Sequence, residues 1–199
     1  MTGVKTMKKI VTIAAAALVL GLTGEARAQE WFWGGSYSMA LPLANTKDFN
    51  EGFSFRGVTI EGRKMVNENF STGLSFGWHV MNDVRTGTLE LDNGAVTGTW
   101  YTYTNSFPLF VNAHYYAGRP GGIRPFLGAN VGTSIYEQRA EVGQIALAED
   151  KWRFAVAPEA GFVIPLGWYV RGFVSARYHY MTGSPTQQYL SFNVGFASN

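Results

Sequence analysis

The sequence predicts an all-β chain, an eight-stranded antiparallel transmembrane β-barrel. Three observations carry this. Apolar and small or polar residues alternate with period two through eight segments. The connections between those segments alternate between long and short. Trp and Tyr gather near the segment ends. Period two is the mark of a strand, because successive side chains leave opposite faces of a sheet.

The longest element is a hairpin over 70–116. Phe70, Thr72, Leu74, Phe76, Trp78 and Val80 share one face; Ser71, Gly73, Ser75, Gly77 and His79 share the other. On the return, Phe107, Leu109, Val111, Ala113 and Tyr115 alternate with Pro108, Phe110, Asn112, His114 and Tyr116. Asn93-Gly94 suits a type I′ turn, whose two central residues need positive φ. Pairing through that turn sets Phe76 opposite Val111, Trp78 opposite Leu109, Val80 opposite Phe107 and Ser75 opposite Asn112.

Residues 1–28 read as an export signal. Lys5, Lys8 and Lys9 precede an apolar run, and Ala26-Arg27-Ala28 fits a small-x-small cleavage site. The run is too short for a spanning helix. Met7, which opens Met-Lys-Lys, suits a start as well as Met1. Without 1–28 the chain loses four of its 16 Lys+Arg and one of its 14 Asp+Glu, leaving 12 against 13. Nothing in that balance favours nucleic acid. There is no Cys, so disulfides and thiol chemistry are excluded. The remainder, 29–199, suits one barrel domain.

The other segments follow in order. In 31–41, Trp33, Gly35, Tyr37, Met39 and Leu41 alternate with Gly34, Ser36, Ser38 and Ala40. A polar loop covers 44–52. In 53–66, Val58 and Ile60 oppose Thr59, Glu61 and Arg63. Asn67-Glu68-Asn69 is a tight turn, and 117–122 is a Gly/Pro turn. In 125–136, Leu127, Ala129, Val131 and Ile135 oppose Gly128, Asn130, Gly132 and Ser134. A charged loop is expected at 137–151. In 152–164, Trp152, Phe154, Val156, Ala160, Phe162 and Ile164 oppose Ala155, Ala157, Glu159 and Gly161, with Pro158 marking a weak point or bulge. Pro165-Leu166-Gly167 turns the chain. In 169–180, Val170, Val174, Ala176, Tyr178 and Tyr180 oppose Arg171, Ser175, Arg177 and His179. After a loop at 181–188, the last strand sets Leu190, Phe192, Val194 and Phe196 against Ser191, Asn193 and Gly195.

The long connections fall at 44–52, 81–106, 137–151 and 181–188; the short ones fall at 67–69, 117–122 and 165–167. Barrels of outer-membrane type show this asymmetry. Trp31, Trp33, Trp78, Tyr115, Tyr116, Trp152, Trp168, Tyr169, Tyr178 and Tyr180 sit where aromatic girdles would meet the bilayer interfaces. A sheet in hydrocarbon can leave no edge unpaired, so it closes. The polar set then faces a narrow bore: Glu61, Arg63, His79, His114, Glu159, Arg171, Arg177 and His179 form the expected interior cluster. Charges there need partners, so a hydrogen-bonded plug is expected, with Glu159 within diagonal reach of Arg171.

On these residues the chain resembles the small outer-membrane β-barrels of Gram-negative bacteria, the eight-stranded OmpX- and OmpW-like proteins. The resemblance covers essentially all of 29–199. It is carried by Ser106-Phe107-Pro108-Leu109 running into Asn112-Ala113-His114-Tyr115-Tyr116, and by Arg124-Pro125-Phe126-Leu127-Gly128-Ala129-Asn130-Val131-Gly132. Ala157-Pro158-Glu159-Ala160-Gly161 and the closing segment 188–196 add to it. It implies an outer-membrane location, no catalytic residues and no cofactor. It also implies that Leu190, Phe192, Val194 and Phe196 are the signal read by the barrel-insertion machinery. The chain departs from the family pattern by continuing through Ala197-Ser198-Asn199.

Catalysis and metal binding find little support. A triad needs Ser, His and an acid within reach, and a lipid-directed site would face outward, whereas the three His residues read as inward. Those His lie on three strands without ligand spacing. Gly-Arg-Pro-Gly-Gly at 118–122 lacks the Lys-Ser/Thr of a phosphate loop. The expected protein is a monomer surrounded by outer-membrane lipid, with a structural or adhesin-like surface role. Its 82–106 hairpin offers a β-ribbon to an extracellular partner, or only caps the barrel. The alternatives are a narrow pore or carrier for a small solute and, with the faces reversed, a secreted lipocalin-like binder.

Overall fold

The computed structural model describes residues 31–91, 94–142 and 145–198. The expected export signal at 1–28 lies outside the described residues. Eight strands run in order: β1 (Trp31–Leu43), β2 (Arg56–Asn67), β3 (Phe70–Leu91), β4 (Gly94–Tyr116), β5 (Arg124–Val142), β6 (Ile145–Pro165), β7 (Val170–Met181) and β8 (Gln187–Ser198). Each pairs antiparallel with the next, and β1 pairs with β8 from Trp33↔Ser198 to Leu43↔Gln188, so the sheet closes. A five-residue helix, α1 (Asn45–Phe49), lies within the connection expected to be a polar loop.

Burial alternates with the pleat. Along β8, Gln187, Tyr189, Ser191, Asn193, Gly195 and Ala197 are buried and their neighbours are not. The exposed set is apolar and runs around the wall: Ile60, Leu74, Phe76, Leu109, Leu127, Phe162 and Val194 among others. The buried set inside is dominated by Ser, Thr, Asn, His, Glu and Arg. This is a membrane-spanning barrel of outer-membrane type, with the polarity opposite to that of a soluble lipocalin-like binder. Trp31, Trp33, Tyr115, Trp168 and Tyr169 are exposed toward the end with the short turns, and Trp78 and Trp152 toward the other. Tyr116 is the exception among the expected girdle residues. It is 3% exposed, because its place in the β4 alternation points it into the bore.

The β3–β4 register differs from the expectation. Phe76 pairs with Leu109, Leu74 with Val111 and Gly73 with Asn112, and the ladder runs out to Leu91↔Gly94. The ladder is therefore offset by two residues from pairing through Asn93-Gly94, and residues 92 and 93 lie outside the described residues. Slipping one strand by two residues keeps every side chain on its face, so alternation could not separate the two registers. The expected bulge at Pro158 is also absent. Val156↔Tyr180 and Glu159↔Arg177 keep one register, and Pro158 only interrupts the ladder because it has no N–H to give. The bulge lies instead between Met65 and Asn67.

Strand length divides the wall in two. β1, β2, β7 and β8 have 13, 12, 12 and 12 residues, close to the ~9–11 that cross a bilayer. β3, β4, β5 and β6 have 22, 23, 19 and 21. The expected loop at 137–151 is therefore mostly strand, with Glu137↔Asp150 and Val142↔Ile145 in one ladder. β2 stops pairing with β3 at Val80 and β7 stops pairing with β6 at Ala155. Beyond that level, β3 to β6 continue as a four-stranded sheet standing on one side of the mouth.

A closed barrel of this kind is expected to resist detergent until heated. Membrane-fraction protein loaded without boiling should migrate differently from the boiled sample on a denaturing gel, and identical mobility would count against closure through β1–β8.

Candidate functional site: the barrel interior

The bore is stacked in layers, beginning at the end that carries the short turns. The first layer is aromatic: Phe32, Tyr116, Phe126 and Phe173 pack with Ala197, and Met65 and Val163 lean against them.

The second layer is ionic. Glu159 on β6 faces Arg177 on β7 directly in register, and Arg177 donates to Glu159 Oε2 from Nε at 3.1 Å and Nη2 at 2.8 Å. His114 Nε2 lies 3.0 Å from the same oxygen, and Asn130 donates to it at 3.2 Å. On β2, Arg63 reaches back to Glu61 at 2.7 Å and donates to the Tyr116 hydroxyl at 2.9 Å. Arg177 closes the set across the bore, 3.7 Å from Glu61. Two carboxylates and two guanidiniums thus balance in a space where an unpaired charge would be very costly. Local sequence makes one contact feasible. His114 pairs with Gly128, and Gly128 pairs with Glu159. A Cβ on Gly128 would sit 2.4 Å from the His114 ring, so its absence lets the imidazole lie across β5 to reach the carboxylate.

The third layer is a hydrogen-bonded cluster of His, Tyr, Ser and Thr side chains. Tyr189 on β8 sends its hydroxyl across the bore to His79 Nδ1 at 2.8 Å and Ser106 Oγ at 3.2 Å. The His179 ring stacks on Tyr189 with centroids 4.2 Å apart, and its Nε2 is 3.0 Å from Ser191 Oγ. Thr59 and Ser38 continue the chain, with Thr59 Oγ1 3.3 Å from His79 Nε2 and 3.0 Å from Ser38 Oγ. Ala40, Met81, Phe110, Tyr136, Ala155, Ala157 and Met181 pack around it.

The far mouth is covered by α1. Thr46 is fully buried, donates to Gln187 Oε1 at 2.8 Å, and accepts from the Gln188 N–H. Tyr136 donates to the same Gln187 oxygen at 3.0 Å. Asn50, also fully buried, bridges to Thr104 and Thr102 on β4. Arg153 ties the β7–β8 connection down through Pro185 O at 2.7 Å.

Of the eight residues expected inside, Glu61, Arg63, His114, Glu159 and Arg177 meet in the ionic layer, while His79 and His179 meet one layer on. Arg171 stands apart. It pairs with Pro165 beside the turn, half-buried, with its guanidinium 5.9 Å from the Phe32 ring centroid. The diagonal Glu159–Arg171 contact is not made, because the β6–β7 register brings Arg177 opposite Glu159 instead. Leu190, Phe192, Val194 and Phe196 all turn outward on β8. Tyr136, Tyr189, Phe126, Arg124 and Arg153 were missed. Strand parity did contain the signal for the rings: Tyr136 follows Ser134, Tyr189 precedes Ser191 and Phe126 precedes Gly128. Among the described residues no group of His, Asp and Glu is arranged to hold a metal ion.

No protein-family model and no curated protein matches the sequence. The fold does have close counterparts among solved structures. Neisserial surface protein A aligns at TM-score 0.56 with 12% identity, over 86% of this chain and 99% of that one. Ail, the attachment invasion locus protein of Yersinia pestis, aligns at 0.55 with 9% identity over the same shares, and has also been solved with the heparin analogue sucrose octasulfate. OprG, an outer-membrane protein of Pseudomonas aeruginosa, aligns at 0.52 with 11% identity over 88% and 97%. The chain has the fold of these small eight-stranded outer-membrane barrels. At such identities the likeness concerns the fold alone.

Glu159→Gln leaves Arg177 buried beside a neutral amide. It should destabilise the barrel by about 3–5 kcal/mol, and Glu159→Gln with Arg177→Met should recover much of that. Urea unfolding in lipid vesicles provides the measurement, and additive losses would mean the pair is not coupled.

Proposed function

We propose that the protein is an integral outer-membrane barrel, monomeric and non-catalytic, that closes its own bore and presents a rigid β-sheet at the cell surface for attachment. The observation that carries this is the combination of a bore crossed at two levels, by Arg177 to Glu61 and by Tyr189 to His79, with a sheet of β3 to β6 extending beyond the bilayer span. The 1–28 segment supplies export on this reading. The outward Leu190, Phe192, Val194 and Phe196 serve as the insertion signal, and membrane lipid covers the apolar belt.

The bore then acts as a plug. Across the bore, Arg177 and Glu61 form an ion pair at 3.7 Å and Tyr189 hydrogen-bonds with His79 and Ser106, so a solute would have to break several contacts at once. The runner-up, a narrow pore or carrier, needs those layers to part. Purified protein in planar bilayers should give no steady unitary steps; reproducible steps would favour the pore.

The surface sheet is the working part in this proposal. Its outer edge along β3 has no β2 partner past Val80, so it is suited to an added strand. The charge of the extension helps select the partner. Over 81–106 and 134–154 of the sequence, Asp83, Glu90, Asp92, Glu137, Glu141, Glu149 and Asp150 outnumber Arg85, Arg139, Lys151 and Arg153. A sulfated polyanion of the kind seen with Ail would be repelled, whereas a neutral or basic protein surface would not. Removal of 86–99 cuts the ribbon where Arg85 already pairs with Trp100, so a two-residue turn can rejoin it. Cells displaying the shortened protein should lose adherence to coats of basic matrix protein while the gel mobility shift persists. Unchanged adherence would make the ribbon only a cap.

A further inference from the structure

On the outer wall, near the end carrying the short turns, a groove of ≈530 Å³ crosses β1, β2 and β3. Three rungs of the sheet build it. Trp31, Lys64 and Thr72 stand in register nearest the 67–69 turn. Trp33, Gly62 and Leu74 form the next rung, and Ile60, Phe76 and Leu109 the one beyond. By barrel topology the short turns face the periplasm, so the groove lies in the inner leaflet. We propose that it binds one anionic glycerophospholipid, with the phosphate at Lys64 and an acyl chain between Trp33 and Leu74 running toward the membrane centre. This rests on the chain being an outer-membrane barrel and not on its attachment role.

The groove begins with a missing side chain. Gly62 takes the outward position in β2 between Ile60 and Lys64. A Cβ there would sit 2.6 Å from the Trp33 ring, so its absence lets that indole lie against the backbone. Trp31 stacks on Trp33, with centroids 6.2 Å apart and planes at 14°. The Lys64 ammonium lies 5.7 Å from the Trp31 ring centroid, within cation–π range. Glycine, two indoles and ammonium thus brace one another, which leaves less side-chain freedom to lose on binding. Leu74, Phe76 and Leu109 stand opposite, each about half exposed.

Polarity fixes the chemistry and the orientation of the occupant. The rung nearest the turn carries an ammonium and a hydroxyl, and the two rungs beyond it are apolar. A phospholipid has the same order, from headgroup to chain. Lys64 has no carboxylate partner among the described residues, so its counter-charge comes from outside the wall. A lysine beside a lipid surface attracts an anionic headgroup, whereas a zwitterionic headgroup carries its own cation and offsets the gain.

The test is native mass spectrometry of the full chain in dodecyl maltoside, with equal amounts of dioleoyl phosphatidylglycerol and dioleoyl phosphatidylcholine as probes. One bound phosphatidylglycerol is expected, held about fivefold more tightly than phosphatidylcholine. Lys64→Gln should erase the preference, and Lys64→Arg should keep it. Gly62→Ala, which displaces the Trp33 ring, should weaken both lipids. Arg56→Gln removes an exposed cation on the same strand toward the other mouth and should change nothing. If Lys64→Gln loses the gel mobility shift, Lys64→Met takes its place. Equal binding of the two lipids would overturn the proposal. So would a preference that survives loss of the Lys64 charge or falls equally in Arg56→Gln, or a protein dimer in place of the lipid adduct. A wild-type chain without the gel mobility shift would fail as a barrel, whereas a shifted chain without lipid preference would fail only at this site.

Discussion

Everything in this structure depends on the β1–β8 ladder. Hydrocarbon offers no hydrogen-bond partner to a backbone amide, so a sheet crossing it must have no edge. Pairing from Trp33↔Ser198 to Leu43↔Gln188 removes the last two edges. Closure also makes inside and outside different solvents. One face of every strand then meets lipid and the other meets seven neighbouring strands. The alternation of Phe, Leu and Val with Ser, Gly and Asn follows from that difference.

The interior answers a second constraint. Eight strands enclose a space that side chains can fill, and the fill here is polar, so each polar atom needs a partner from another strand. Long side chains meet this by spanning the bore. Arg177 joins β7 to β6 and β2, Arg63 joins β2 to β4, and Tyr189 joins β8 to β3 and β4. Small residues on the same faces make room, as Gly128 does for the His114 ring. The two carboxylates and two guanidiniums of the ionic layer cancel, which is why they can remain buried among aromatic neighbours. Arg124 and Arg171 lie outside that layer, at the mouth with the short turns.

The two mouths are finished differently. At one, α1 lies over the opening, and Thr46 and Asn50 fasten it to β8 and β4. At the other, tight turns leave a cavity edged by Trp168. Only β3 to β6 outlast the membrane span, so the surface-directed part is a sheet with an open β3 edge rather than a set of loose loops. That asymmetry of length leaves the extended sheet on one side of the mouth.

From sequence alone, period two, the rhythm of long and short connections and the aromatic ends determined the strand count, the closed barrel class and the residues that share the inner face. These are local properties, because pleat and turn chemistry act over a few residues. The partnerships were decided by tertiary structure. Parity cannot tell Phe76 opposite Leu109 from Phe76 opposite Val111, nor Glu159 with Arg177 from Glu159 with Arg171, since each alternative keeps the same faces. Parity does put Tyr116, Tyr136 and Tyr189 on the inner face, but it does not say which strand each one reaches across the bore. The 137–151 segment, polar and charged, became strand because its two halves pair with each other above the membrane. Register, shear and closure choose among arrangements that local pattern leaves equivalent, and those choices brought the ionic layer into being.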